Sequence, residues 1–262
     1  MVRAGVARFA VRGVLVAALL GFIGFAAYEI LENPSNQIFG RTVVSGPRNE
    51  RVVALTYDDG PNPPYTDEIL DVLQQEHVHA TFFVVGRAAA AYPSVLEREA
   101  RDGDAIGNHT WSHEHLIVMD AAAVRKSLKK TDAAIYAATH EHTRLMRPPF
   151  GARDWLVLDQ ARRMGYTPVM WSVPLAHDWE NPPPAVIAQR ILPKVQDGSI
   201  IVLHDGNRGM LCGRNAIPVR VCDRRNDIEA TRLIVEALKR EGYRFVTVPE
   251  LLATRRLARR NE

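Results

Sequence analysis

Val52-Val53-Ala54-Leu55-Thr56-Tyr57-Asp58-Asp59-Gly60-Pro61 is the stretch on which the fold of this chain turns. Its β-branched and aromatic run predicts a strand over 52–57, closed by the turn residues Gly60 and Pro61. Two carboxylates stand at the exit of that strand. Side chains alternate faces along a strand, so adjacent acids can point apart and do different work. Such a string makes a turn, supplies a metal ligand, or sets a base beside a metal, according to what the rest of the chain brings to it.

Outward from this strand the pattern alternates. Further β-branched runs at 80–85, 199–204 and 244–248, with weaker ones at 105–108, 144–147 and 167–171, predict the remaining strands. Helical stretches lie between them at 66–76, 91–102, 120–139, 153–164, 184–192 and 226–240. Strand–helix alternation argues for a parallel sheet covered by helices. Each chemically interesting group follows a strand: Asp58 and Asp59, His109 and His113, Arg147, Asp178, His204. In a barrel of βα units those exits gather at one face, where residues distant in sequence meet. Seven strands make an α/β barrel one unit short of the usual eight.

At 262 residues and 47% hydrophobic, the chain can bury a full core in one domain with extensions. The net charge of +3 is slight, and arginines crowd the ends rather than a face. No basic surface interleaved with aromatics is present in the middle, which argues against nucleic acid as a partner. Gly13 to Tyr28 is uncharged and mostly apolar and follows Arg3, Arg8 and Arg12. Against the plain reading of a buried N-terminal helix, it fits a secretory signal or, extended by Ile30 and Leu31, a membrane anchor. Either places the downstream chain outside the cytoplasm, because arginines stay inside. The expected organisation is a signal peptide or anchor over 1–31, a polar linker over 32–50, a catalytic domain over 51–255 and a basic tail over 256–262. Cys212 and Cys222, the only cysteines, bracket a loop with Gly213, Asn215 and Pro218. In an oxidising compartment they form a disulfide that pins this loop; otherwise they are two free thiols.

His109-Thr-Trp-Ser-His113 sets two imidazoles at i and i+4. On one helical turn, or in a tight loop, both can reach one ion. With a carboxylate, for which Asp59 is the candidate, they make a facial set with open positions for water and substrate. Neither string is specific alone, since both occur at surfaces and turns; their common position after strands narrows the reading. In Arg147-Pro-Pro-Phe-Gly151 the prolines stiffen the backbone, and an arginine beside an aspartate orients it. Gly151 permits close backbone approach, so that the Phe150 N–H can face a developing oxyanion. His204, ending Ser199-Ile-Ile-Val-Leu-His204, suits a general acid. His77, His79, His140 and His142 read as solvated, and His115 as offset from the ligand pair.

These residues resemble the polysaccharide deacetylases, carbohydrate esterase family four. Thr56-Tyr-Asp-Asp-Gly60, His109-x-x-x-His113, Arg147-x-Pro-Phe-Gly151, Trp171 with Asp178-Trp179, and Val202-Leu-His204 are similar to the five motifs of that family, in the same order. The resemblance covers about residues 50–250 and implies a deformed (β/α)7 barrel, here preceded by an N-terminal apolar helix and linker. It implies Asp58 as general base, Asp59, His109 and His113 as ligands of a divalent metal (usually zinc), and Arg147 as the residue that steers Asp58. It further implies His204 as general acid with Asp178 as its partner, the Phe150 N–H at the oxyanion, and Trp171, Trp179 and Val202 as walls of the acetyl pocket. Two departures stand out. The step from Trp171 to Asp178 is one residue longer than the common form, with Pro174 where an acid often sits. Val202 replaces the usual leucine of the fifth motif.

The implied activity is metal-dependent removal of N-acetyl groups from N-acetylglucosamine-containing glycans of the cell envelope, releasing acetate. Two other readings are a related amidohydrolase acting on a small amide, and a tethered glycan-binding protein without turnover. Asp58 and the export segment favour a glycan, and the filled catalytic positions favour an enzyme.

Overall fold

The computed structural model describes residues 2–31, 33–212 and 219–258. Seven parallel strands form one sheet: β1 (Val52–Asp58), β2 (Thr81–Val84), β3 (Ala105–Asn108), β4 (Leu145–Met146), β5 (Thr167–Pro168), β6 (Ser199–His204) and β7 (Arg244–Phe245). The α-helices among the described residues are α1 (Val2–Leu31), α2 (Tyr65–Gln75), α3 (Gly86–Ala91), α4 (Pro93–Arg101), α5 (Ala121–Thr139), α6 (Trp155–Arg163), α7 (Pro184–Ile191), α8 (Val219–Cys222), α9 (Arg225–Arg240) and α10 (Val248–Ala258).

The sheet order is β5-β4-β3-β2-β1-β6, with β7 beside β1. Val53 pairs with Ser199 of β6 and with Phe245 of β7, so β6 occupies one edge of β1. The other edge is shared: β7 pairs with its first residues and β2 with Thr56–Asp58. That sharing is the deformation of the barrel.

The gap between β5 and β6 is bridged from outside the strands. Val43 bridges to Val169 and Ser45 to Ser199, and the Ser172 N–H donates to the Ile200 carbonyl. Residues 43–45, expected within the linker, thus pair with the sheet, because Val43 is apolar enough to join the inner core. A Cβ on Gly198, whose φ is +71°, would meet the Pro47 carbonyl, so this closure needs glycine there. Ahead of it, the buried Arg153 donates to the carbonyls of Gly151, Asn33, Pro34 and Asn36 at 2.8, 2.7, 3.2 and 2.5 Å.

Period-two alternation sorts the strands into two cores. Val53, Leu55 and Tyr57 of β1, Phe82 and Val84 of β2, and Ile201 and Leu203 of β6 pack outward against α2, α7 and α9. Val52, Ala54, Phe83, Ile200 and Val202 pack inward with Trp171, Leu251 and Val248. The inner face of β1 therefore runs Val52, Ala54, Thr56, Asp58 and delivers the first acid into the barrel mouth.

The helix expected over 91–102 begins only at Pro93. Tyr92 leaves the helical region (φ −133°), and Pro93 opens α4 at its first turn, where a missing N–H costs nothing. Among the described residues no helix is long and apolar enough to cross a membrane. Helix α1 exposes Val14, Leu15, Leu19, Leu20, Phe22 and Phe25.

An acid of α4 has no hydrogen-bond partner among the described residues. Glu99 of α4 is fully buried, neither carboxyl oxygen has a hydrogen bond, and burial pushes its carboxyl well above the usual value. Such a group holds its proton more tightly folded than unfolded. The stability it allows is therefore present below the unfolded value of about 4.3 and is lost as pH rises toward the folded one. Glu99→Leu is expected to flatten this decline and to raise Tm in mild alkali by a few degrees, at about 2–4 °C per kcal/mol. Melting curves on both sides of neutrality check it; a variant that melts no higher than the parent in alkali rejects the unpaired acid.

Candidate active site

Asp58 follows the inner face of β1. By strict alternation Asp59 would face away, but its backbone is left-handed (φ +80°), a conformation that aspartate tolerates better than most residues. The turn brings both acids to one imidazole. His109 Nε2 lies 3.9 Å from Asp58 Oδ2 and 3.5 Å from Asp59 Oδ1, and His113 Nε2 lies 3.2 Å from that same Asp59 oxygen. Of the two expected geometries for the histidine pair, the loop is found, with Thr110 at φ +69° and His113 at φ +58°.

The ligand atoms of Asp59, His109 and His113 lie within 4.8 Å of one another. His109 Nδ1 sits 2.8 Å from the Arg147 carbonyl, so it carries the proton and leaves the Nε2 lone pair facing the acids. Burial first, and then the neighbouring His113, hold the His109 imidazole down at about 3, in its neutral ligating form. Asp59 Oδ1 is buried without a hydrogen bond. A buried carboxylate oxygen with no donor, beside an imidazole lone pair and a second imidazole nitrogen, fits a divalent cation.

Arg147 is fully buried behind Asp58. Its Nη1 donates to Asp58 Oδ1 at 2.5 Å and Thr56 Oγ1 at 2.9 Å, while Nε and Nη2 donate to the carbonyls of Val169 and Met170 at 3.3 and 3.2 Å. The guanidinium lies 4.0 Å over the Phe83 ring. Its head is held by β1 and residues 169–170, whereas Pro148 and Pro149 shape only the backbone behind it. This leaves Asp58 Oδ2 turned toward the metal ligands.

On the other side, His204 Nδ1 donates to Asp178 at 3.0 Å, and the His204 N–H donates to the same carboxylate at 2.7 Å. Burial alone would lower this imidazole, but the Asp178 carboxylate, with Asp59 and Asp58 beyond, raises it to about 9. The Trp179 ring stands edge-on to His204 at 5.2 Å. Phe150 has a left-handed backbone (φ +61°), and its ring contacts His113 at 4.6 Å and His115 at 5.1 Å. Trp171 and Val202 lie deeper, in the inner core. Cys212 and Cys222 are joined as a disulfide with Cα atoms 6.0 Å apart; residues 213–218 of the loop lie outside the described residues.

The family model described as polysaccharide deacetylase matches residues 45–169. A peptidoglycan-N-acetylglucosamine deacetylase of Bacillus cereus is 34% identical over 80% of this chain and 71% of its own length. The chain belongs to the polysaccharide deacetylase family. A chitooligosaccharide deacetylase of Rhizobium leguminosarum is 33% identical over 77% of this chain and 92% of its own. Among solved structures, the Bc1960 peptidoglycan N-acetylglucosamine deacetylase superposes with a TM-score of 0.72 at 32% identity, covering 80% of this chain and 92% of that one. The deformed (β/α)7 barrel is thus the fold shared by the family.

Several residues around this family's motifs escaped the sequence reading. Asp205 is buried with Oδ2 2.6 Å from Thr66 Oγ1, and burial pushes its carboxyl up to about 7. A Cβ on Gly60 would collide with that carboxyl, so the glycine of the first motif makes room for it. Arg87 donates to the carbonyls of Gly209 and Arg208, both at 2.8 Å, and thereby fixes the loop after β6. The one available signal was the position of Asp205, directly after the histidine of the fifth motif.

Proposed function

We propose that the chain removes N-acetyl groups from N-acetylglucosamine-containing glycans of the cell envelope, releasing acetate and leaving a free amine. One observation carries the reading: the Asp59, His109 and His113 cluster has an arginine-held carboxylate on one side and a carboxylate-held histidine on the other. Homologues named for peptidoglycan and for chitooligosaccharide deacetylation support the glycan class.

Asp59, His109 and His113 would hold the ion, and zinc suits two imidazoles and one carboxylate with an open position. When bound, such an ion polarises the amide carbonyl and lowers the pKa of water. Asp58, fixed through Oδ1, takes the proton of the attacking water on Oδ2. His204, protonated at neutral pH and held through Nδ1, gives its proton from Nε2 to the leaving nitrogen. The C–N bond breaks as that nitrogen becomes an amine. The Phe150 N–H serves the oxyanion, and Trp171, Trp179 and Val202 line the methyl group.

The catalytic unit spans 51–255 with residues 43–50 as its closing strap, and the basic stretch 256–262 follows it in sequence. The apolar segment within 1–31 serves export, as a cleaved signal or a membrane tether, which places the activity outside the cytoplasm. The test is acetate release from a panel of N-acetylated glycans by chelator-treated and zinc-restored protein. Activity on at least one glycan is expected to vanish on chelation and return with zinc. No acetate from any glycan despite bound metal moves the reading to a small amide or to binding alone.

A further inference from the structure

Behind His204 and Asp178 lies a third acid that plays no part in the proposed reaction. Asp227, in the first turn of α9, is fully buried, and neither of its carboxyl oxygens meets an N–H or O–H donor. The polar group that faces it most strongly is another acceptor, the buried Asp178 carboxyl. Two carboxyl groups can bond only if one of them carries a proton.

The donors around the pair decide which one. Asp178 already accepts the His204 Nδ1–H and the His204 backbone N–H, so its negative charge is well supported. Asp227 has no such support. The buried Arg224 guanidinium pulls both acids toward ionisation, but its donors go to the carbonyls of Gly206 and Asp223 at 2.8 and 3.4 Å. Asp205 and Tyr57 also face Asp227 electrostatically, the one an acid and the other a hydroxyl spent on Thr231 Oγ1 at 2.7 Å. An ionised Asp227 here would be an unpaired buried charge beside a second carboxylate, the costliest of the possible states.

We infer that Asp227 is a positioning residue whose neutral carboxyl donates a hydrogen bond to Asp178, fixing the Asp178–His204 pair from behind. His204, Asp178 and Asp227 then form a buried line with one negative charge at its centre. The O–H bond spreads that charge and holds the carboxylate plane at the angle that both His204 donors need. Desolvation of Asp227, reinforced by the Asp178 charge, keeps the proton in place at neutral pH.

This inference rests on the acid role proposed for His204, but its test does not need turnover. In the metal-loaded full chain with labelled histidine, NMR titration reads the His204 pKa directly. Asp227→Asn keeps a donor toward Asp178 and adds no charge change, so the His204 pKa is expected to stay within about half a unit. If Asp227 were ionised, the same substitution would remove a negative charge and lower that pKa by about one unit or more, which overturns the inference. Asp227→Ala removes the donor, leaves Asp178 more basic, and is expected to raise the His204 pKa. An unchanged value counts against the inference.

Infrared difference spectra between parent and Asp227→Asn give a second readout, independent of whether the alanine variant folds. A protonated-carboxyl carbonyl band of the parent is expected to be missing from the variant; the absence of that difference overturns the inference. On a glycan that the parent deacetylates, kcat is expected to fall about tenfold in Asp227→Ala with little change in KM, and to be restored in Asp227→Asn. If no glycan is deacetylated at all, the functional reading fails while titration and infrared still decide the protonation of Asp227.

Discussion

Asp58→Asn is expected to lower kcat for acetate release by about 10²–10⁴, the contribution of a general base, while the protein still binds one equivalent of metal. The three ligand residues are untouched by this change, and Asp58 Oδ2 stands 3.9 Å from His109 Nε2, beyond the closest pair formed by Asp59 and His113. Metal analysis alongside turnover separates the roles. Loss of metal would make Asp58 a ligand, and activity within tenfold of the parent would remove it from the reaction.

Arg147→Met is expected to give the largest loss of stability. Removing one partner from a fully buried pair costs about 3–5 kcal/mol, because the remaining charge is left without compensation. At about 2–4 °C per kcal/mol, Tm falls by roughly 10 °C, and activity falls with it as Asp58 loses its orientation. Asp58→Asn should cost less, since the guanidinium keeps Thr56 Oγ1 and the carbonyls of Val169 and Met170 as acceptors. The double variant Asp58→Asn with Arg147→Met is expected to melt above Arg147→Met alone. Equal melting of the two would show that the pair is not energetically linked.

Much of the fold was legible because apolar runs leave a strong mark. β1 and β6 are continuous β-branched stretches buried along their length, and they were placed to within a residue. β4, β5 and β7, expected over 144–147, 167–171 and 244–248, have only two residues each, and Val248 already opens α10. Helix α3 was missed because Gly86-Arg-Ala-Ala-Ala-Ala91 comes directly after β2 and lacks amphipathic periodicity. The strap at 43–45 was read as linker because an isolated bridge shows no period.

The same contrast holds at the mouth. The Asp59, His109 and His113 cluster, which could hold a metal ion, was readable from residue types because both strings follow strands and so meet at one face. Asp227 gave no such signal, because an acid in the first turn of an amphipathic helix ordinarily answers the helix dipole. Its burial depends on long-range packing of α9, which no local pattern shows. Arg153 was likewise absorbed into a predicted helix over 153–164, whereas α6 begins only at Trp155 and the Arg153 guanidinium turns to the lead-in chain.

That arginine bears on reach. It grips three carbonyls just past α1 and belongs to the loop that carries Phe150, so the lead-in chain is fastened beside the mouth rather than hanging slack. If α1 is held at a surface, the mouth cannot sweep the wide volume that a loose chain of the same length would allow. It works instead at a nearly constant height above that surface. The distance of a glycan from that surface would then limit its modification as much as its chemistry does.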